Sequence, residues 1–162
     1  MPDVSAPVCS ETVSCPLCAS AGGEVVWQGA RWRLVHAEEK GFPGFYRLIW
    51  NRHVEEWSDL DHTERMEAME ALTQIEKAMR EHLQPCKMNL ATLGNVVPHL
   101  HWHAIARFEW DSHFPRPVWA DPLREPAPEQ LAEVERRRGA LERHLAVILE
   151  TLDPLATGAL QR

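Results

Sequence analysis

The sequence predicts one domain of mixed α and β structure. Short runs rich in Trp, Val and Ile are punctuated by Gly, Asn and Pro, which reads as strands joined by turns. Two longer stretches, 61–83 and 129–152, repeat apolar residues at helical spacing. Most telling is the run Pro98-His99-Leu100-His101-Trp102-His103-Ala104-Ile105, where alternation at period two belongs to a strand with apolar residues on one face and imidazoles on the other. At 162 residues the chain can bury a core of its own but has no room for a second full domain.

Residues 1–13 are polar and patternless and are expected to be a flexible arm. A Cys15-Pro16-Leu17-Cys18 pair follows. Glu24–Trp27 and Trp32–His36 read as two strands of a hairpin with a Gln28-Gly29 turn. Glu38–Gly44, charged and carrying Gly41, Pro43 and Gly44, reads as a loop. Phe45–Trp50 is the next strand and ends at Asn51-Arg52-His53.

Met66, Met69, Leu72, Ile75, Met79 and Leu83 form a stripe on the first long helix, with Asp59 or Asp61 as cap and Pro85 beyond its end. Lys87–Thr92 is a strand, Gly94-Asn95 a turn, and Val96–Phe108 the long histidine strand. Pro115, Pro117, Pro122, Pro126 and Pro128 impose an irregular crossing. The last helix, Glu129–Leu152, carries Leu131, Val134, Leu141, Leu145 and Ile148. The expected organisation is an arm at 1–13, a domain at 14–120, and a proline-rich crossing with a C-terminal helix packed on the domain at 121–162. No internal repeat is visible.

Composition narrows the function. Seventeen Lys and Arg stand against 24 Asp and Glu, a formal charge of −7, which disfavours a nonspecific nucleic-acid binder because phosphate neutralisation needs clustered cations. No apolar run is long enough to span a membrane, and the amino terminus lacks a basic region followed by an apolar stretch, so the expected location is cytoplasmic. Of the four cysteines, the Cys15/Cys18 pair has metal or redox spacing; followed by Ala, Ser and two glycines, it reads as half a zinc site. The alternating histidines offer nucleophilic, acid–base or metal-ligating chemistry near neutral pH.

The string His99-Leu-His-Trp-His-Ala-Ile105 resembles the signature of the histidine triad (HIT) family. The resemblance extends to the order of CxxC, hairpin, Pro-Gly loop, strand ending in Asn-Arg-His, long helix, strand and triad strand, covering about Cys15 to Trp119. It implies an α+β, HIT-like fold: a mainly antiparallel five-stranded sheet with a long helix, here with an additional C-terminal helix. It also implies a homodimer that binds nucleotides and hydrolyses or transfers nucleotidyl groups.

On this resemblance His101 is the nucleophile that attacks the α-phosphate, and His103 contacts the phosphate and assists the leaving group. A carbonyl near His99 is expected to hold the His101 proton on the far nitrogen. Zinc-bearing relatives imply a structural Zn²⁺ on Cys15, Cys18, His53 and His99, a closed Cys₂His₂ set. Three departures concern the substrate. Phe45 follows Pro43-Gly44 where many relatives have His. The turn before the triad is short and leaves Asn95 as its polar contact. The ribose-binding acid has no clear match, so Glu38 or Glu39 is expected to stand in.

Other residues carry plainer expectations. Trp27, Trp32, Trp50, Trp102 and Trp110 read as packing or interface residues, and Trp119 could also stack on a base. Arg136-Arg137-Arg138 reads as a solvated face, His113 as a loop residue, and His36, His62, His82 and His144 receive no role. The expected function is cleavage at the α-phosphate of dinucleoside polyphosphates or nucleoside phosphoramidates through a nucleotidyl-histidine. The alternative is a nucleotide-binding regulatory or scaffold protein without catalysis.

Overall fold

Alternation of side chains along β-strands divides this molecule into a helix-covered face and an open face. The computed structural model describes residues 15–153; the arm expected at 1–13 lies outside them. The chain runs through α1 (Pro16–Ala19), β1 (Glu24–Gln28), β2 (Trp32–His36), β3 (Phe45–Trp50), a 3₁₀ turn at Trp57–Asp59, α2 (His62–Leu83), β4 (Lys87–Ala91), β5 (His101–Arg107) and α3 (Pro128–Leu152). The strands form one antiparallel sheet in the order β1-β2-β3-β5-β4. The architecture is α+β, as the sequence predicts.

Trp32 and Leu34 of β2, Tyr46, Leu48 and Trp50 of β3, and Ala104 and Ala106 of β5 point to the helices. They pack there with Leu72, Ile75 and Met79 of α2 and Leu141, Leu145 and Leu149 of α3. The alternate residues, Arg33 and Val35, Phe45, Arg47 and Ile49, and His101, His103 and Ile105, face the other way. Register makes the second set neighbours: Arg47 pairs with His103 and Ile49 with His101.

α2 starts where its cap chemistry dictates. Asp61 accepts from the Glu64 amide at 2.8 Å, and Glu64 accepts from the Asp61 amide at 2.9 Å, a reciprocal capping box. The helix ends at Gln84 in the left-handed conformation, φ 54°. Its buried line runs through Ala68, Ala71, Leu72, Ile75, Ala78, Met79 and Leu83. Met66 and Met69, expected on that stripe, are 57% and 40% exposed, because the small alanines are what the helix turns inward. α3 packs along α2 and is tied to the sheet by Tyr46 Oη–H donating to Glu142 (3.2 Å), Trp27 Nε1–H donating to Glu150 (3.0 Å), and the Ala30 amide donating to Asp153 (2.6 Å). Arg138, expected on a solvated face, instead joins Glu24, Glu135 and Glu142 and lies 3.1 Å from His36 Nδ1.

The histidine strand is shorter than Val96–Phe108. β5 begins at His101, and His99 precedes it. The His99 amide donates to the Val97 carbonyl at 2.8 Å, closing a tight turn centred on Pro98, whose fixed φ suits that geometry. Leu100 then pairs with the chain leaving β3, donating to Val54 O and accepting from Trp50 N. The turn therefore leaves His99 outside β5, ahead of the two histidines that the strand itself carries.

Beyond β5 the irregular segment is fixed by a buried ion pair. Arg107 donates to both carboxylate oxygens of Asp111 at 2.8 and 3.0 Å, and also to Asn89 and the Arg116 carbonyl. Asp111 further accepts the amides of Phe108, His113 and Phe114. Burial opposes its charge, but the Arg107 and amide hydrogen bonds outweigh burial and hold the carboxyl below its ordinary range. Asp111→Ala would strand a buried guanidinium, and we expect a loss of about 3–5 kcal/mol in denaturant unfolding. A loss under about 1 kcal/mol would show that the pair does not hold this segment.

Candidate active site and metal centre

The open face of the sheet carries two adjoining clusters, and His99 stands between them. At the first, α1 is a single turn that brings Cys15 and Cys18 over the ends of β2 and β3. Arg33 holds this turn by donating to the carbonyls of Leu17 (2.6 Å), Ser20 and Ala21, and to the Asn51 side chain. Leu17 packs beneath it on Val35 and Ile49. The sequence shows the CxxC spacing but not Arg33, whose place inside a strand reads as ordinary surface.

Cys15 Sγ lies 3.3 Å and Cys18 Sγ 3.5 Å from His99 Nδ1, and Cys18 Sγ lies 3.4 Å from His53 Nδ1. All four donor atoms fall within 4.8 Å of one another. His99 Nε2 is 2.6 Å from the Trp50 carbonyl, which fixes the proton there and leaves the Nδ1 lone pair facing the sulfurs. His53 Nε2 lies 3.6 Å from the Glu55 carboxylate. Two thiols and two imidazoles at these separations fit a tetrahedral ion, since metal–sulfur and metal–nitrogen bonds of about 2.3 and 2.0 Å put neighbouring ligands about 3.5 Å apart. Both cysteines are free thiols. Without a cation, burial and the neighbouring Cys15 push the Cys18 thiol up.

The second cluster surrounds a cavity of about 450 Å³, a size suited to a small organic ligand. Leu17, Leu93, Val96, Val97 and Trp119 give it apolar walls. Arg47, Asn95, His101 and His103 supply the polar groups, with Arg47 the one permanent cation among these lining residues. Gly94, at φ 78°, makes the turn that carries Asn95.

His101 Nδ1–H donates to the His99 carbonyl at 2.6 Å, so the lone pair resides on Nε2. Burial, and then the charge of Arg47, lower the His101 pKa against the opposing effect of that carbonyl. His103 is packed edge-on by Phe45, His101 and Trp119, with centroids 5.4, 4.9 and 5.2 Å away. Burial, then His101 and Arg47, push its pKa down to about 4. Its Nδ1 is buried without a hydrogen-bond partner among the described residues. Both imidazoles are therefore neutral at neutral pH, the state a nitrogen nucleophile requires.

Glu38 and Glu39 sit elsewhere. They border a separate cavity of about 410 Å³ with His36, Glu135 and Arg138, and only Glu39 reaches toward the histidines, 3.5 Å from Arg47. His101, His103 and Arg47 come together only in the histidine cavity, whereas the other cavity holds one histidine, His36, beside acidic side chains. Arg47 escaped the sequence reading; the signal available was its position two residues after Phe45, on the same strand face as Phe45, which pairing brings beside His103. His113 lies tilted against Phe42, with ring centroids 5.3 Å apart, and is hydrogen-bonded to Ser112.

Comparison with known proteins gives one consistent result. The HIT domain profile matches residues 22–110. A histidine triad protein from Bradyrhizobium japonicum is 29% identical, with 70% of this chain and 90% of that chain covered and a TM-score of 0.56. A histidine triad protein from Marinobacter aquaeolei is 27% identical, with 80% and 95% covered and a TM-score of 0.62. A zinc-bound histidine triad family protein from Mycobacterium smegmatis shares the fold at 21% identity, with 85% and 97% covered and a TM-score of 0.54. No curated protein matches the chain. No helix among the described residues is long and apolar enough to cross a membrane.

The buried neutral His103 makes stability depend on acid. Its proton binds near 6.5 in the unfolded chain and only near 4 in the folded one, so the unfolded state takes up more protons between those values. Stability from neutral His103 is complete above the upper value and falls as pH drops toward the lower, by about 3 kcal/mol in all. We expect denaturant unfolding at pH about 7.5 and about 5 to show roughly 2 kcal/mol of loss in the wild type that His103→Gln lacks. Equal acid sensitivity in both proteins would refute this.

Proposed function

The chain belongs to the HIT domain family of nucleotide-binding hydrolases and transferases, and on that premise we propose that it cleaves nucleotides at the α-phosphate through a nucleotidyl-histidine on His101. The observation that carries the reading is the His101 imidazole, neutral, with its Nδ1 proton held by the His99 carbonyl at 2.6 Å. Attack by Nε2 forms a nitrogen–phosphorus bond as the bond from phosphorus to the leaving group breaks. The leaving group departs with the electron pair and takes up a proton. Attack makes the imidazole cationic, which strengthens its hydrogen bond to the carbonyl. Water then splits the phosphoramidate and restores the histidine.

Arg47 supports this reading by placing positive charge beside the phosphate position while disfavouring protonation of His101 and His103. His103 offers its ring to the phosphate and leaving group, and Asn95 offers an amide at the turn. Trp119, 55% exposed at the cavity mouth, offers a face on which a base can stack. Glu38 and Glu39 would serve a ribose only through the loop they share, since the nearer of them already meets Arg47. Substrates of this reading are dinucleoside polyphosphates and nucleoside phosphoramidates, and β4, an edge strand, is free to pair with a second copy in a homodimer.

A structural Zn²⁺ on Cys15, Cys18, His53 and His99 belongs to the same reading, supported by the donor set and its spacing. With four protein ligands it would tie the amino-terminal turn to the histidine segment and would leave no position for substrate. We expect one tightly held zinc per chain after dialysis against a mild chelator. Cys18→Ser should lose it and unfold at least about 5 °C lower. Metal-free wild type with an unchanged midpoint would sink the assignment.

Turnover of a panel of dinucleoside polyphosphates and adenosine phosphoramidates tests the reaction itself. The wild type should turn over at least one class and yield an acid-labile nucleotidyl adduct on His101, and His101→Ala should lose at least about 10³-fold in kcat. Tight nucleotide binding with neither adduct nor turnover would instead favour a regulatory or scaffold role.

A further inference from the structure

Away from the sheet's open face, the two long helices bring together residues that the proposed reaction does not use. His82 Nε2, in the last turn of α2, lies 2.9 Å from His144 Nδ1 on α3, and the rings meet edge-on with centroids 5.1 Å apart. Glu81 adds a carboxylate, and one donor atom from each of the three residues falls within 4.8 Å of the other two. Both histidines are half-buried and Glu81 is exposed.

We propose that His82, His144 and Glu81 form a second metal site, which takes a divalent transition ion such as Zn²⁺ and clamps α3 to α2. Imidazole nitrogens bound to one such ion at about 2.0–2.1 Å stand about 2.9–3.4 Å apart for angles between octahedral and tetrahedral, so the observed separation needs no helix movement. The backbones that carry them are fixed by burial. Ala78, Met79 and Leu83 of α2 share one core with Leu141, Leu145 and Leu149 of α3. The negative end of the α2 dipole faces the ligands from His82's own turn and favours a cation.

Donor type separates this site from the first. Imidazole and carboxylate select first-row ions such as zinc over calcium or magnesium, and three protein ligands leave a position for water. The ion should therefore exchange more readily than one on the closed Cys₂His₂ set. Its effect would fall on α3, which lies beyond the residues that the HIT domain profile matches.

The full-length chain, dialysed against buffered micromolar Zn²⁺, tests the site by metal analysis. The wild type should hold one equivalent more than either His144→Gln or His82→Gln, whatever the occupancy of the cysteine site. Starting from protein whose cysteine site is already filled, further Zn²⁺ should raise the wild-type unfolding midpoint by a few degrees and leave that of His144→Gln unmoved. Co²⁺ titration of the wild type needs no variant: the weaker equivalent should add visible ligand-field absorption without thiolate charge transfer. Equal stoichiometry in wild type and variants would overturn the site and leave a simple His–His hydrogen bond. So would a weaker equivalent that absorbs as a thiolate complex.

Discussion

Every polar group of His99 is committed, and the site follows from how. Its Nε2 meets the Trp50 carbonyl, its Nδ1 faces Cys15 and Cys18, its amide closes the turn at Pro98, and its carbonyl holds His101 Nδ1. One buried residue thus sets the orientation of the cysteine turn, the start of β5 and the tautomer of its neighbour. Moving any one of these contacts moves the others, because a fully buried histidine has no solvent to exchange a partner with.

The sheet separates structure from chemistry by alternation. Tyr46, Leu48 and Trp50 fasten the helices, while Phe45, Arg47 and Ile49 in between line the open face. The same strands therefore build a core on one side and the histidine wall on the other, and pairing register decides which side chains meet on that wall. Arg47 opposite His103 is the clearest product. A guanidinium beside two imidazoles would be unfavourable if they were charged, and its charge helps to keep both rings neutral.

Most elements were legible because their signals are local: alternating residues, a helical stripe, an acidic cap three residues before glutamate. What escaped depends on contacts across the chain. The strand signal of the histidine run extended through Val96 because alternation ignores the turn that Pro98 makes with Val97 and His99. Arg47 and Arg33 look like surface residues along the strand until register and the α1 turn give them partners. Arg138 sits within a basic triplet, yet it is the one that reaches Glu24 of β1 and His36 of β2. Met66 and Met69 matched the helical period but lost the core to alanines, a choice made by how closely α3 and the sheet approach. Glu38 and Glu39 fall at the expected place in sequence, but their loop lines a cavity against α3, and Glu39 alone reaches back to Arg47.

The carboxylate of Asp153 accepting the Ala30 amide joins the end of α3 to the first hairpin across 123 residues of chain. Closing so large a loop carries a high entropic cost, whereas the β1–β2 hairpin and the β4–β5 pair close over short distances. We expect the docking of α3 to come late, and until it does the Trp27 indole and the Tyr46 hydroxyl lack their Glu150 and Glu142 partners. During synthesis those aromatics would face the cellular milieu until the last helix emerges, so the interval before α3 docks is when this chain is most open to misassociation.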